Sequence, residues 1–168
     1  DKDLKIEIFG DSITCGYGIE SEHEDSPYED ISANSYLAYG SIAARDLKAE
    51  INLTAWSGLG LVRNYDDSPR PLPERIEWIT PQNEERLWDF NSYIPDIVLI
   101  NLGTNDESYF TPGTPWIDEL VEKHGSFDEV RNLLVYKDEL LNLRLRIIKF
   151  LDDLFSTYGD IKVVYATG

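Results

Sequence analysis

An α/β fold built on a parallel sheet is predicted by three observations. Short β-rich apolar segments alternate along the chain with segments of helical period, the order that right-handed crossovers and a parallel sheet require. One segment, DIVLINL at Asp96–Leu102, is almost continuously apolar, as a central strand covered on both faces must be. Three of the strand-like segments run directly into small polar clusters, the composition found where an open sheet builds its site.

The elements follow in order. Lys5–Phe9 is rich in β-formers at Ile6, Ile8 and Phe9 and ends at Gly10, so it is read as the first strand. Glu20–Asp30, ESEHEDSPYED, carries six acidic residues and a proline and reads as a solvated loop. A helix is expected to open at Asn34 in NSYLAYGSIAARDLKAE. Tyr36, Tyr39, Ile42, Ala43 and Leu47 recur at helical spacing, with Ser32 or Asn34 as N-cap. EINLTAW, Glu50–Trp56, is the second strand. The connection after it holds Pro69, Pro71, Pro73 and Pro81 and is longer than an ordinary loop, so it should contain a short helix near Pro73–Trp78 or build part of a site. Asp96–Leu102 is the third strand. Beyond Pro112, Gly113 and Pro115 a short helix is expected over Trp116–His124, stopped by Gly125.

The strongest periodic signal is VYKDELLNLRLRIIKFLDDLFSTYG. Leu140, Leu143, Ile147, Leu151, Leu154 and Phe155 form one apolar stripe, and Gly159 is a stop signal. IKVVYATG, residues 161–168, is a β-branched final strand. No internal repeat or low-complexity segment interrupts the pattern.

The bulk composition sets bounds. With 168 residues, 42% of them hydrophobic, the chain suffices for one domain with a sizeable core, and residues 1–168 are read as that domain. The formal net charge is −17, from 15 basic and 32 acidic residues, and such a surface repels phosphate backbones and anionic bilayers. Nucleic acid and membrane are therefore excluded as partners, while neutral polymers such as polysaccharides are not. No apolar run approaches a membrane span. The single cysteine, Cys15, can form no internal disulfide and reads as a packing residue. The sequence holds no methionine and starts at Asp1, so a processed or excised piece of a longer protein is expected.

The chemistry concentrates in the polar clusters at Gly10-Asp11-Ser12, Ser57-Gly58-Leu59-Gly60 and Gly103-Thr104-Asn105-Asp106. Each alone has a structural reading: Ser12 or Asp11 as a helix cap, the glycines as loop residues, Gly-Thr-Asn-Asp as a turn. Together, at the ends of parallel strands, they converge on one edge of the sheet. Ser12 is then a nucleophile exposed at a tight turn. The backbone N–H groups of Ser12 and Gly58 and the side-chain amide of Asn105 are oxyanion donors. Glycine at 58 permits close approach of backbone to the substrate oxygen. The acidic loop lacks the ligand spacing of a calcium loop, no zinc pattern exists, and the glycines after Ser12 lack the lysine of a phosphate-binding loop.

FGDSIT, SGLG and NLGTND resemble, in order, the first three motif blocks of the SGNH or GDSL hydrolase superfamily. The longer runs GDSITCGYG, NSYLAYGSIAARDL, WSGLGLVRNY and INLGTND are similar to segments of carbohydrate esterase family 2, deacetylases of plant polysaccharides, and the resemblance covers most of the chain. It implies a flavodoxin-like three-layer α/β/α fold with a parallel sheet of about five strands, here lacking its last strand and C-terminal helix. It implies Ser12 as nucleophile and Gly58 and Asn105 in the oxyanion hole. It implies removal of O-acetyl groups from xylan or glucomannan by an acyl-enzyme route that needs no cofactor, in a secreted or cell-surface bacterial protein.

The family's base is a histidine in an Asp-x-x-His pattern. Neither His23, in the acidic loop, nor His124, at a helix end where a cation suits the dipole, fits it. The base is expected in a C-terminal segment beyond Gly168, and the 168 residues alone are expected to hydrolyse little. Two alternatives accompany this reading: another GDSL esterase or lipase, and a carbohydrate-binding module on the same scaffold that makes no turnover. Trp56, Arg63, Asn64 and Tyr65 suit a sugar rim or ordinary loop packing. Trp78, Trp88 and Trp116 suit a saccharide platform or a cover for the sheet edge.

Overall fold

The computed structural model describes residues 3–23, 25–27 and 29–166; Glu24 and Tyr28 of the acidic loop, and residues 167–168 of the last apolar segment, lie outside them. Among the described residues four strands form one parallel sheet in the order β2-β1-β3-β4. They are β1 (Lys5–Gly10), β2 (Glu50–Ala55), β3 (Ile97–Asn101) and β4 (Lys162–Ala166). The register aligns Gly10 with Ala55 on one side and with Asn101 on the other, so three strands finish level. From β1 the chain passes through α2 (Tyr39–Asp46) outward to β2, returns across β1 to β3, and passes through α6 (Leu134–Tyr158) to β4. The winding reverses at β1, and a crevice opens beyond the carboxyl end of a sheet at such a point.

The two faces of the sheet have separate cores. Phe9, Val98 and Ile100 face α6, whose Phe150 and Leu154 are buried against them. Ile6 and Ile8, the alternate residues of β1, face α2 and its Ala44. This alternation is why β1 and β3 carry apolar residues at nearly every position. A third cluster joins α4 (Pro115–His124), α5 (Phe127–Val130) and the first turns of α6 through Ile117, Val130 and Tyr136, so these helices form a small layer of their own beside the sheet.

Two expectations require correction. The second helix begins at Tyr39 with Ala38 as N-cap, not at Asn34. Asn34 instead accepts the Tyr36 N–H through its side chain, a local turn that competes with helix. The helix expected near Pro73–Trp78 is a single 3₁₀ turn at Leu72–Glu74, after which Trp78 bridges to Leu87. The four described strands are the family's parallel sheet of about five without its last strand, as the resemblance implied. Three short helices carried no periodic signal: α1 (Ser12–Cys15), α3 (Thr104–Ser108) and α5. For α5 the mark is a capping box, in which Ser126 Oγ accepts the Glu129 N–H at 3.3 Å and Glu129 Oε2 accepts the Ser126 N–H at 2.8 Å.

Candidate active site

Where β1 ends, Asp11 caps α1, its Oδ1 accepting the Ile13 N–H at 3.0 Å. The cap is therefore Asp11, and Ser12 takes the first helical position, half-buried. A first-turn N–H has no partner within its own helix, so it points outward as a donor.

Where β2 ends, Gly58 adopts φ +84°, a left-handed conformation that side chains resist, and its carbonyl accepts the Tyr65 N–H at 2.8 Å. Gly60 is required for space: a Cβ there would sit 2.0 Å from the Arg63 carbonyl oxygen and 2.7 Å from Asp106 Oδ2. Neither the Ser12 nor the Gly58 amide N–H donates to a protein acceptor among the described residues.

Where β3 ends, Gly103 leads into α3 and presents Asn105 to the other two turns. Asn105 Nδ2 donates to the Leu59 carbonyl at 2.8 Å and, over a long 3.5 Å, to Asp11 Oδ2, the weaker of the two bonds and the one a substrate oxygen would have to displace. The next residue, Asp106, is 1% exposed, and its carboxylate accepts three successive backbone N–H groups: Leu61 at 2.8 Å, Val62 at 2.7 Å and Arg63 at 2.9 Å. Burial raises the Asp106 carboxyl above its ordinary value, and those three donors pull it back. Burial also raises Asp11, the Ile13 N–H opposes this, and the neighbouring Asp106 charge adds to it. Asn64 completes the brace from inside the loop, accepting the Gly60 N–H at 3.1 Å and donating to the Ser68 carbonyl at 2.9 Å.

Ser12, Gly58 and Asn105 line one open cleft of about 660 Å³, with Trp56, Tyr65 and Arg75 on its rim. The structure thus brings together three turns that are 46 to 47 residues apart in the sequence. It leaves both histidines out: His23 lies in the acidic loop, His124 closes α4, and neither lines the cleft. Cys15 is half-buried; burial raises its thiol and a bond to Ser57 opposes this, so it is not set up as a thiolate.

The aromatic and polar residues near the second turn divide. Trp56 and Tyr65 are exposed on the cleft, whereas Asn64 is buried bracing and Arg63 is bonded to Asp67. Trp78 packs beneath the Arg70 and Arg75 guanidinium groups; Arg75 lines the cleft and Trp78 does not. Asn64, read from the sequence as a sugar-rim or loop-packing residue, braces the loop, and Asp106, read only as part of the third polar cluster, is its buried clasp. The only available signal for Asp106 was its place beside Asn105 in NLGTND, and nothing in the sequence names its partners in the loop of residues 61–63.

The family model described as the GDSL-like Lipase/Acylhydrolase family matches residues 8–168. A cellulase/esterase of Acetivibrio thermocellus is 48% identical over 105 residues, 62% of this chain and 13% of that protein. An acetylxylan esterase/glucomannan deacetylase of Cellvibrio japonicus is 36% identical over 107 residues, 62% of this chain and 30% of that one. Among solved structures, an acetyl xylan esterase from the rumen bacterium Butyrivibrio proteoclasticus superposes on all of this chain with a TM-score of 0.81 at 26% identity. A family two carbohydrate esterase from Clostridium thermocellum, in complex with cellohexaose, superposes on 98% with a TM-score of 0.63 at 32% identity. The chain spans 48% and 54% of the lengths of those two structures.

Proposed function

Because the chain belongs to the GDSL-like lipase/acylhydrolase family and lies with the family two carbohydrate esterases, we propose that it is the serine-bearing part of an esterase that removes O-acetyl groups from xylan or glucomannan. The supporting observation is the single cleft in which Ser12 meets Gly58 and Asn105, with two backbone N–H groups that have no protein acceptor among the described residues and an amide whose second bond, to Asp11, is long and weak. Such donors, fixed before the substrate arrives, are worth most where charge develops on the carbonyl oxygen.

In this reading Ser12 Oγ attacks the acetyl carbonyl while its proton passes to a histidine supplied from outside these 168 residues. The negative charge settles on the carbonyl oxygen, held by the Ser12 and Gly58 N–H groups and by Asn105. The carbon–oxygen bond to the sugar then breaks, and the histidine returns the proton to the departing sugar oxygen. Water repeats the sequence on the acetyl-enzyme and releases acetate. Asp106 and Asn64 act at one remove, holding the loop that carries Gly58. The open cleft, where Ser57, Ser68, Arg75 and Gln82 stand beside the Trp56 and Tyr65 rings, suits a sugar better than a long acyl chain. A polymer that cannot cross a bilayer must be met outside the cell, and the extracellular bacterial carbohydrate-active enzymes are its relatives.

The test compares an activated acetyl ester and acetylated xylan as substrates. The full-length protein is expected to turn over both, and Ser12→Ala to lower kcat by about 10⁴-fold or more. The 168 residues alone are expected to be nearly inactive; Ser12-dependent turnover by them would assign the base to another group. A second reading, sugar binding without turnover, is favoured by the absence of an imidazole among the described cleft residues. A serine-reactive phosphonate separates the two, since it labels Ser12 only if a base activates it.

A further inference from the structure

The helix that carries Ser12, α1, is a single turn closed by Cys15 N–H on the Asp11 carbonyl at 3.0 Å and Tyr17 N–H on the Ser12 carbonyl at 2.9 Å. A helix that short does not hold itself in water, so its direction has to be fixed from outside. Besides the bond between Cys15 and Ser57, two contacts reach α1 from the segment of residues 34–39 that leads into α2.

The first contact is at the C-cap. The Gly16 carbonyl accepts the Asn34 N–H at 3.1 Å, and a Cβ on Gly16 would lie 2.3 Å from the Asn34 carbonyl oxygen. The second is inside the turn. Thr14 is 2% exposed and packs over Gly10, where a Cβ would lie 1.9 Å from Thr14 Oγ1. Thr14 Oγ1 is 2.8 Å from the hydroxyl of Tyr39, 25 residues on, at the first position of α2. Asn101 also bonds that hydroxyl, and Asn101 is the register partner of Gly10 across β1 and β3. Burial raises the Tyr39 hydroxyl above its ordinary value, while the bonds to Thr14 and Asn101 oppose this. It is therefore a neutral hydroxyl that can both donate and accept.

Tyr39 does not line the cleft that holds Ser12. Its bond is nevertheless made two residues from Ser12 on the same rigid turn, and it is directional where apolar packing is not. A rotation of α1 would move the Ser12 Oγ and the Ser12 N–H together, one the attacking atom and the other an oxyanion donor. Misplacing a reacting group by about 1 Å costs about 10²-fold in rate.

We propose that Tyr39 is a positioning residue for the nucleophile: its hydroxyl, through Thr14, sets the angle at which α1 presents Ser12 to the ester. The proposal rests on the esterase reading for what Ser12 does. Tyr39 acts through Thr14 and not on the substrate, so its loss falls on kcat and leaves KM.

The experiment measures kcat and KM of the full-length protein on an activated acetyl ester, per site labelled to completion by a serine-reactive phosphonate. Unfolded molecules are then not counted. Tyr39→Phe removes one oxygen and keeps the ring; it is expected to lower kcat about tenfold with KM within about twofold. Thr14→Val is expected to do the same. The double variant should be no slower than either single variant, because both remove one bond. Thr14→Ser keeps the hydroxyl and should hold kcat within about threefold of the unaltered protein. Unchanged kcat in Tyr39→Phe would overturn the proposal, as would a double variant slowed by the product of the single effects. If Thr14→Val does not fold, Thr14→Ser decides: a loss equal to that of Tyr39→Phe would show that packing, not the hydroxyl bond, places α1.

Amide hydrogen exchange reads the brace without turnover. In Tyr39→Phe the amides of Cys15, Gly16 and Tyr17 are expected to exchange about tenfold faster, with those of α6 unchanged. If Ser12→Ala leaves turnover intact, the esterase reading fails, and faster exchange still upholds the brace. Unchanged exchange beside Ser12-dependent turnover defeats the brace alone.

Discussion

The rim at the carboxyl ends of β1, β2 and β3 and the interior below it both contain a buried carboxylate, and they treat it differently. Asp106, on the rim, is held by three backbone N–H groups from a loop 43 to 45 residues earlier. Glu7, 1% exposed in the middle of β1, is held by side chains, accepting the Asn52 Nδ2–H at 3.0 Å and the Tyr158 hydroxyl. Around Glu7 the structure is made by apolar burial: Phe9 packs edge-on against Phe150 at 5.7 Å, and Val98, Leu102 and Leu154 are buried with it. The loop that Asp106 clasps is anchored as well by apolar burial, since Leu59 and Leu61 belong to the same core cluster as Phe9 and Phe150. The lesson is that in this fold packing holds both the sheet and the base of the loop, while directed hydrogen bonds to the backbone add the placement of the turns that carry the chemistry.

That division can be broken or sharpened by substitution. Phe9→Ala should have the largest effect on stability, about 3–5 kcal/mol from lost transfer and the cavity left behind, with activity per folded molecule little changed. Urea denaturation paired with active-site titration by the phosphonate checks it. A large loss of activity in the folded fraction would break the comparison, because the interior would then be setting the rim. Asn105→Ala should do the opposite, lowering kcat about 10²–10³-fold with little change in the melting midpoint. Its other bond, to the Leu59 carbonyl, limits how small that change can be.

Asp106→Asn probes the boundary. The amide keeps the shape but replaces one acceptor oxygen with a donor facing backbone N–H groups, so at least one of the three bonds is lost. A stability loss of about 1–3 kcal/mol is expected. The fall in kcat should be larger than that loss explains, because the loop bearing Gly58 is freed. Single-turnover kinetics on the folded variant give the result; unchanged kcat would show that the loop holds itself.

Glu7→Gln gives the smallest and most specific effect. Burial raises the Glu7 carboxyl above its ordinary 4.5, and the bonds from Tyr158 and Asn52 oppose this. A carboxyl raised in the fold is protonated in both states well below that ordinary value and carries no penalty there. As the pH rises through its raised folded value, ionisation costs the native state more than the unfolded one, and stability falls. Glutamine removes that dependence. The variant is therefore expected to gain on the unaltered protein as the pH rises above that ordinary value, measured as the difference in urea midpoints. A difference that does not move with pH would mean that the three-way bond fully compensates burial.

Much of the fold was legible because its strands are buried on both faces. Continuous apolar runs such as IVLIN have few other uses, and the stripe of α6 together with Gly159 marks a helix from start to stop. The start of α2 lies later than the spacing predicts because Tyr36 fits the helical stripe while remaining exposed in a turn set by Asn34. Single-turn helices are too short to show a period, and only caps such as Asp11 and Ser126 mark them. Within the site, Ser12, Gly58 and Asn105 could be named because each lies in a short polar cluster after a strand. The stack of Tyr109 on Trp116 and of Trp116 on Tyr136 could not, since its members come from separate helices and turns.

The sequence by itself determined the alternation of strand and helix, the charge that turns away polyanions, and the three polar turns, because each of these is written in neighbouring residues. Only the tertiary structure decided that Gly10, Ala55 and Asn101 finish level, that Asp106 clasps a loop far from it in the chain, and that Trp116 is stacked between Tyr109 and Tyr136. Those facts depend on register, burial and contact between distant segments, and such contacts form only when the whole chain is packed.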